Sequence, residues 1–307
     1  MKIILIGRTR LLRSVGLEAL SRGHEILAIV TAKESAESVE DADLLRAFAH
    51  ENSLEFIYSP NLRSIEEDLK KLGPIDIGLS VNYVSIVDDL SIANFRLGIL
   101  NIHGGDLPRY RGNACQAWAI INGENRVGLC IHKMVGGQID SGDIIQRDYL
   151  PIDETTYVGD VLAWINLRAP SLTVDAAEAL DFDPSFVLEV QSSDPLQSLR
   201  TYSRRPEDGQ VNWSSSHTDV LRLVRASGHP YSGAFTYLNG ELVRIWEAHH
   251  VVYPPISSVP GQIVGISKDW FDVSVYDGSQ VIRVTGATID RDSNWNRLVK
   301  STRQRFQ

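Results

Sequence analysis

Three residues whose types can do chemistry stand in two separate stretches of the chain. Asn101 and His103 close the apolar run Leu97-Gly98-Ile99-Leu100. Asp140 lies in the glycine-rich stretch Gly136-Gly137-Gln138-Ile139-Asp140-Ser141-Gly142-Asp143. The apolar run reads as a buried strand. Side chains alternate along a strand, so Asn101 and His103 face one way and Ile102 the other. An amide and an imidazole at a strand's C-terminal end stand where open α/β sheets bind ligands. The glycines allow the Asp140 loop to approach that edge. Such a trio suits transfer of an acyl-type group to an amine: His103 takes or relays a proton, Asn101 donates to the developing oxyanion, and Asp140 orients the ring and raises its pKa. Either Asn101 or His103 alone reads better as a strand-end turn or a hydrogen-bonded core histidine. The whole constellation is what points to chemistry.

The elements that must position these residues alternate strand and helix. Strands are expected at 2–7, 25–31, 54–58 and 75–81, with helices at 10–22, 42–52 and 61–72 between them. That spacing predicts βαβ units and a mostly parallel, Rossmann-like sheet. A helix is expected at 114–122, strands at 126–134 and 143–150 around the glycine loop, and a long helix at 156–180 interrupted near Pro170. Gly7-Arg8-Thr9-Arg10 follows a strand and opens a helix, but G-x-G-x-x-G is absent, so a nicotinamide cofactor is not expected. Arg8 and Arg10 are candidates for a substrate phosphate at that helix start, and read equally as solvated charges. The pattern changes near 192–200. Beyond it a short helix at 219–226 and strands at 234–238, 241–248, 261–267, 271–276 and 281–285, with turns at Asn239-Gly240 and Asp277-Gly278, predict a small open barrel. The fold class is therefore α/β, with a domain at 1–200 and a smaller β-rich, OB-like domain at 201–307.

The net charge is −9 over 307 residues. Residues 201–307 carry 12 Lys/Arg against 10 Asp/Glu, and residues 1–200 carry 18 against 29. The small positive balance lies mostly at 291–305 rather than in a broad stripe, which argues against a nucleic-acid substrate. No apolar run reaches membrane-spanning length, and the N-terminus lacks a secretory signal pattern. Two cysteines, Cys115 and Cys130, form no disulfide framework and read as buried packing residues of a cytoplasmic protein. His249-His250 lacks Cys or carboxylate at metal spacing, so no metal is expected.

Asn101-x-His103, then Leu107-Pro108-x-Tyr110-Arg111-Gly112, then Asp140-x-Gly142 resembles the N10-formyltetrahydrofolate-dependent formyltransferases. Where that family usually shows Ser-Leu-Leu-Pro, this chain has Gly105-Asp106-Leu107-Pro108. This departure and its flanks are most similar to sugar-nucleotide N-formyltransferases, including the perosamine type. The resemblance extends beyond the first domain, through Arg205-Pro206-Glu207-Asp208-Gly209, Trp213, Arg225-Ala226 and Pro230-Tyr231-Ser232-Gly233-Ala234.

The resemblance implies Asn101, His103 and Asp140 as the catalytic trio and N10-formyltetrahydrofolate as co-substrate. Carried over by position, the folate candidates are Tyr83, Ser85, Ile86 and Val87 with Gly136, Gly137, Gln138, Ile139 and Asp140, and also Asn113, which matches a folate- or substrate-binding position. Arg109 and Arg111, flanking Tyr110, are candidates for substrate phosphates. Arg111 reads equally as a brace for its loop. Tyr231 is a candidate for stacking on a nucleotide base, with packing the stronger reading. The expected acceptor is the amine of a nucleotide-linked 3- or 4-amino sugar destined for bacterial surface polysaccharide, and a homodimer is expected. The alternatives are methionyl-tRNA formyltransferase, for which this composition lacks a basic surface, another small-amine formyltransferase, and, from a different class, a non-catalytic nucleotide- or folate-binding module.

Overall fold

The computed structural model describes residues 1–32, 39–289, 292 and 294–307; Arg291, part of the basic 291–305 segment, lies outside them. The chain divides into two compact units. One comprises Met1–Cys115, Val127–Leu150 and Ala163–Thr201. The other comprises Gln116–Arg126, Pro151–Leu162 and Tyr202–Gln307.

In chain order the first elements are β1 (Lys2–Gly7), α1 (Arg10–Ser21), β2 (Glu25–Thr31), α2 (Val39–Glu51) and β3 (Glu55–Tyr58). A 3-10 turn (Leu62–Ile65), α3 (Glu66–Lys71), β4 (Ile77–Val81), α4 (Asp89–Ile92), β5 (Ile99–His103) and β6 (Tyr110–Gly112) follow. Next come α5 (Cys115–Ile121), β7 (Arg126–Lys133), β8 (Ile144–Pro151), α6 (Val158–Phe182) and β9 (Leu199–Thr201). Seven strands form one sheet in the order β3-β2-β1-β4-β5-β7-β8. The pairs β3–β2, β2–β1, β1–β4 and β4–β5 are parallel and β5–β7 is antiparallel. Ile3, Ile4, Leu5 and Ile6 of β1 are wholly buried, as expected of a parallel strand covered on both faces.

The strand order reverses between β1 and β4, where doubly wound sheets leave a crevice at their C-terminal ends. Gly7 closes β1 tightly onto β4. Its φ is +125°, and a Cβ there would lie 1.8 Å from the Val81 carbonyl oxygen. Arg8 N–H donates to that same carbonyl at 3.0 Å. The chain then turns directly into α1, whose Leu11, Leu12, Val15 and Ala19 form the buried face.

Two expectations are corrected here. Helix α6 runs unbroken for 25 residues through Pro170. Proline removes one N–H, but buried residues on both sides (Ile165, Ala169, Leu172, Val174, Ala177) hold the helix, and Thr173 Oγ1 donates to the Ala169 carbonyl at 2.6 Å. The expected helix at 61–72 is split, because Asn61 Oδ1 accepts the Arg63 N–H at 2.9 Å and caps a 3-10 turn before α3 begins.

In the other unit α7 (His217–Ser227) precedes β10 (Ala234–Leu238), β11 (Glu241–His250), β12 (Ile263–Ile266), β13 (Phe271–Val275) and β14 (Gln280–Ile289). These strands form an antiparallel sheet in the order β10-β11-β14-β13-β12. Its core gathers Trp213, Val224, Ile245, Phe271, Ile282 and Phe306. The two edges are joined through residues 304–307. Ile263 N–H donates to the Gln304 carbonyl at 3.1 Å, and Gln307 N–H donates to the Tyr237 carbonyl at 3.0 Å. Among the described residues no helix is long and apolar enough to cross a membrane.

Candidate active site

The site is built where β5 ends. Asn101 pairs with Ser80 of β4 on one side and His132 of β7 on the other, and His103 pairs with Cys130. After β7 the glycine loop folds back so that Asp140, with φ +48°, meets the β5 edge. Aspartate tolerates this left-handed backbone better than most residues.

The three side chains converge. Asn101 Nδ2 donates to Asp140 Oδ1 at 3.3 Å. His103 Nδ1 lies 3.5 Å from Asp140 Oδ2. The other ring nitrogen, Nε2, donates to the Tyr110 carbonyl at 2.8 Å and lies 3.5 Å from the Cys115 thiol. Gly112 N–H also donates to Asp140 Oδ2, at 2.9 Å. Glycine at 105, where the family pattern usually has serine, is explained by this geometry. A Cβ there would come within 2.6 Å of His103 Nε2 and 2.8 Å of the Tyr110 oxygen.

Charge follows from proximity. Burial by itself would lower the His103 pKa. Attraction to the Asp140 carboxylate overrides it, with Cys115 and the Tyr110 carbonyl adding, and the pKa is raised to about 10. Burial would raise the Asp140 pKa, but His103, His132 and the Gly112 N–H hold it well below the usual carboxylate range. At neutral pH the two form a buried imidazolium–carboxylate pair.

Sequence reasoning missed two residues. His132 Nε2 lies 3.4 Å from Asp140 Oδ1 and 3.2 Å from Asn101 Nδ2, and its Nδ1 bonds the Lys133 carbonyl at 2.9 Å. Asp140 thus lies between two imidazoles. A lone histidine in the apolar run 127–132 was the available signal, but only the β5–β7 register shows that it faces Asn101. Gln191, 8% exposed, clamps the loop. Its Nε2 donates to the carbonyls of Asp140 (3.0 Å) and Gly142 (2.6 Å), and its Oε1 accepts from Arg111. Nothing in the local sequence marks it.

The folate candidates other than Asn113 fall on two loops that the structure ties together. Gly137 N–H donates to the Val87 carbonyl at 3.0 Å, and Gly136 N–H to Asp89 Oδ1 at 3.0 Å. Ser85 is half-buried, Ile86 exposed and Val87 buried. The Tyr83 hydroxyl donates to the Ser59 carbonyl at 3.0 Å, and burial pushes its pKa up to about 12. Gln138 accepts from Ser141 at 2.7 Å, and Ile139 is half-buried. Asn113 is exposed in the loop after Gly112.

Among the substrate candidates, Arg8 Nε donates to the Asn82 carbonyl at 3.2 Å, and Arg10 is exposed on the first turn of α1, which carries no acidic residue. The Arg109 guanidinium lies over the Tyr110 ring, 5.5 Å from its centre. Tyr110 is 2% exposed, and its carbonyl accepts from His103 Nε2. Arg111 donates to Gln191 Oε1 (2.9 Å) and to the Ser192 carbonyl (3.2 Å), bonds that brace its loop. Tyr231 belongs to the other unit and is 41% exposed.

A strand-end Asn-x-His facing a loop aspartate, in a mostly parallel sheet, can hold a proton and stabilise an oxyanion as group transfer requires. Residues 1–176 match the model of the formyl transferase family, and residues 204–294 match its C-terminal domain. The chain belongs to this family, whose members transfer formyl groups. It is 28% identical over 290 residues to a methionyl-tRNA formyltransferase of Streptococcus sanguinis (strain SK36), covering 91% of this chain and 88% of that one. Its fold is similar to the sugar 3N-formyl transferase WlaRD, solved with dTDP and 5-N-formyl-THF (TM-score 0.67, 18% identity, 92% of this chain and 97% of that one). It is also similar to an N-formyltransferase from Helicobacter canadensis, solved with folinic acid and dTDP-3-aminofucose (TM-score 0.69, 16% identity, 93% and 99%).

Proposed function

We propose that this enzyme moves the formyl group of N10-formyltetrahydrofolate to the free amine of a nucleotide-linked amino sugar. The observation carrying the chemistry is the convergence of Asn101, His103 and Asp140 at the end of β5. The pteridine lies between the backbone of 83–87 and the loop at 136–140. The amine attacks the formyl carbon, and the oxygen becomes an oxyanion facing Asn101 Nδ2–H and the positive charge of His103. Because His103 already carries its proton at neutral pH, its first act is to donate rather than to accept. The Asp140–His103 pair gives one proton to N10 as the C–N10 bond breaks and takes one from the attacking nitrogen. This restores the pair and releases tetrahydrofolate and the formamide.

Charge supports the sugar nucleotide as acceptor, since a net −9 without a basic stripe does not suit an RNA acceptor stem. Arg8 and Arg10 at the α1 N-terminus are the contacts proposed for its phosphates. The product is proposed as a precursor of lipopolysaccharide O-antigen, made in the cytoplasm by a homodimer. The buried free thiols Cys115 and Cys130 suit that compartment. The second reading is methionyl-tRNA formylation, favoured by the 28% identity over 290 residues. The deciding experiment incubates the enzyme and N10-formyltetrahydrofolate with UDP-, dTDP- and GDP-linked 3- and 4-amino sugars and, separately, initiator methionyl-tRNA, and reads the mass gain of one formyl group. Formylation of the tRNA alone would overturn the sugar reading.

A further inference from the structure

Ser80 is 1% exposed, and its hydroxyl has no hydrogen-bond partner. The rest of β4 (Ile77, Gly78, Leu79, Val81) carries no polar side chain. Buried hydroxyls are nearly always paired, so an orphan in an otherwise apolar strand calls for a physical reason. The register supplies one. Ser80 pairs with Ile6 of β1 on one side and Asn101 of β5 on the other. In-register neighbours share a face, on strands about 4.8 Å apart. Ser80, Asn101 and His132 therefore form a polar row across β4, β5 and β7 on the face that carries His103.

The amide of Asn101 is used asymmetrically. Both of its described bonds, to Asp140 and His132, run through Nδ2. His132 flanks Asn101 on the β7 side, and Ser80 flanks it on the β4 side. The Asp140 carboxylate, which only accepts, keeps one Nδ2–H on its side; for the other to leave His132 and meet an oxyanion, a donor to Oδ1 must hold the amide from its far end. Ser80, unpartnered and in register beside Asn101, carries such a donor.

We infer that Ser80 is a positioning residue for formyl transfer: in the loaded site its hydroxyl donates to Oδ1 of Asn101 and holds the amide as one Nδ2–H passes from His132 to the formyl oxygen. The inference rests on the oxyanion role proposed for Asn101, and the test separates the two.

Ser80→Ala, Asn101→Ala and the double variant are compared as full-length proteins. Turnover is measured with N10-formyltetrahydrofolate and the acceptor found in the panel above, folinic-acid affinity by calorimetry, and Tm by thermal unfolding. Ser80→Ala is expected to lower kcat about tenfold, the loss of one neutral hydrogen bond made at the transition state. KM and folinic-acid affinity are expected to stay within about twofold of wild type, and Tm not to fall, because only an unpaired hydroxyl is removed. Added to Asn101→Ala, the same change is expected to cost nothing further, since it acts through the amide. An unchanged kcat in Ser80→Ala, or a full additional loss in the double variant, overturns the inference. Full turnover by Asn101→Ala overturns the oxyanion role instead.

Discussion

Replacing Asp140 with asparagine keeps the volume and an acceptor for Gly112 N–H but removes the charge that holds His103 protonated. The pKa of His103 rises from 6.5 to about 10 in the folded protein. Its contribution to stability is therefore fully present below pH 6.5 and is lost as pH climbs toward 10. Asp140 works in the opposite sense. Its folded pKa is depressed below 3.8, so its contribution is present above that value and lost only in acid. The pair stabilises most between these limits, roughly pH 4 to 6.5. Raising a pKa from 6.5 to about 10 corresponds to at most about 5 kcal/mol, at about 1.4 kcal/mol per tenfold. Breaking a buried pair by deleting one partner typically costs about 3–5 kcal/mol. Asp140→Asn should therefore lose a few kcal/mol near pH 6, and the gap to wild type should narrow steadily toward pH 10, where the wild-type ring also begins to fold neutral. Urea denaturation of both proteins across that range measures the gap, and histidine-selective NMR follows the ring. Two stability curves running parallel from pH 6 to 10, or a wild-type His103 titrating near its ordinary value, would refute the ion-pair account.

Other expectations follow from single contacts. Asn101→Ala should lower kcat by about 10²–10³ while leaving folinic-acid binding nearly intact, as expected for a donor used mainly in the transition state; steady-state kinetics with calorimetry checks this. Gln191→Ala frees the carbonyls of Asp140 and Gly142 and the Arg111 guanidinium together, so a loss of about 2–3 kcal/mol and faster hydrogen exchange at 140–142 are expected. Gly7→Ala places a methyl 1.8 Å from the Val81 oxygen in a left-handed backbone. It should cost more than about 3 kcal/mol by thermal unfolding, because β1 and β4 must part to admit it.

Local pattern carried far in this chain. Apolar runs between helical segments of ordinary length leave few ways to build a sheet, so β1, β2, β3 and β4 could be read as parallel before any coordinates. Period-two alternation is enough to place Asn101 and His103 on one face, because both lie in one strand. Asn239-Gly240 and Asp277-Gly278 mark hairpins because few other residues adopt those turns. The interruption assigned to Pro170 shows the limit of such reading: proline weakens a helix locally, and packing along α6 outweighed it.

Whatever depends on two strands far apart in sequence was decided by the tertiary structure. His132 joins the site only because β7 runs antiparallel to β5 in a register that sets it beside Asn101, and Ser80 stands on the other side of Asn101 only through the parallel register of β4. Gln191 meets Arg111, 80 positions away, and the Asp140 carbonyl, 51 positions away, with no local pattern to announce either contact. The sequence by itself determined the residue types and their alternation, since those are properties of neighbours along the chain. The charge on His103 arose only when folding brought a carboxylate 37 positions away to within 3.5 Å in a buried site, because ionisation answers to distance and dielectric rather than to order along the chain.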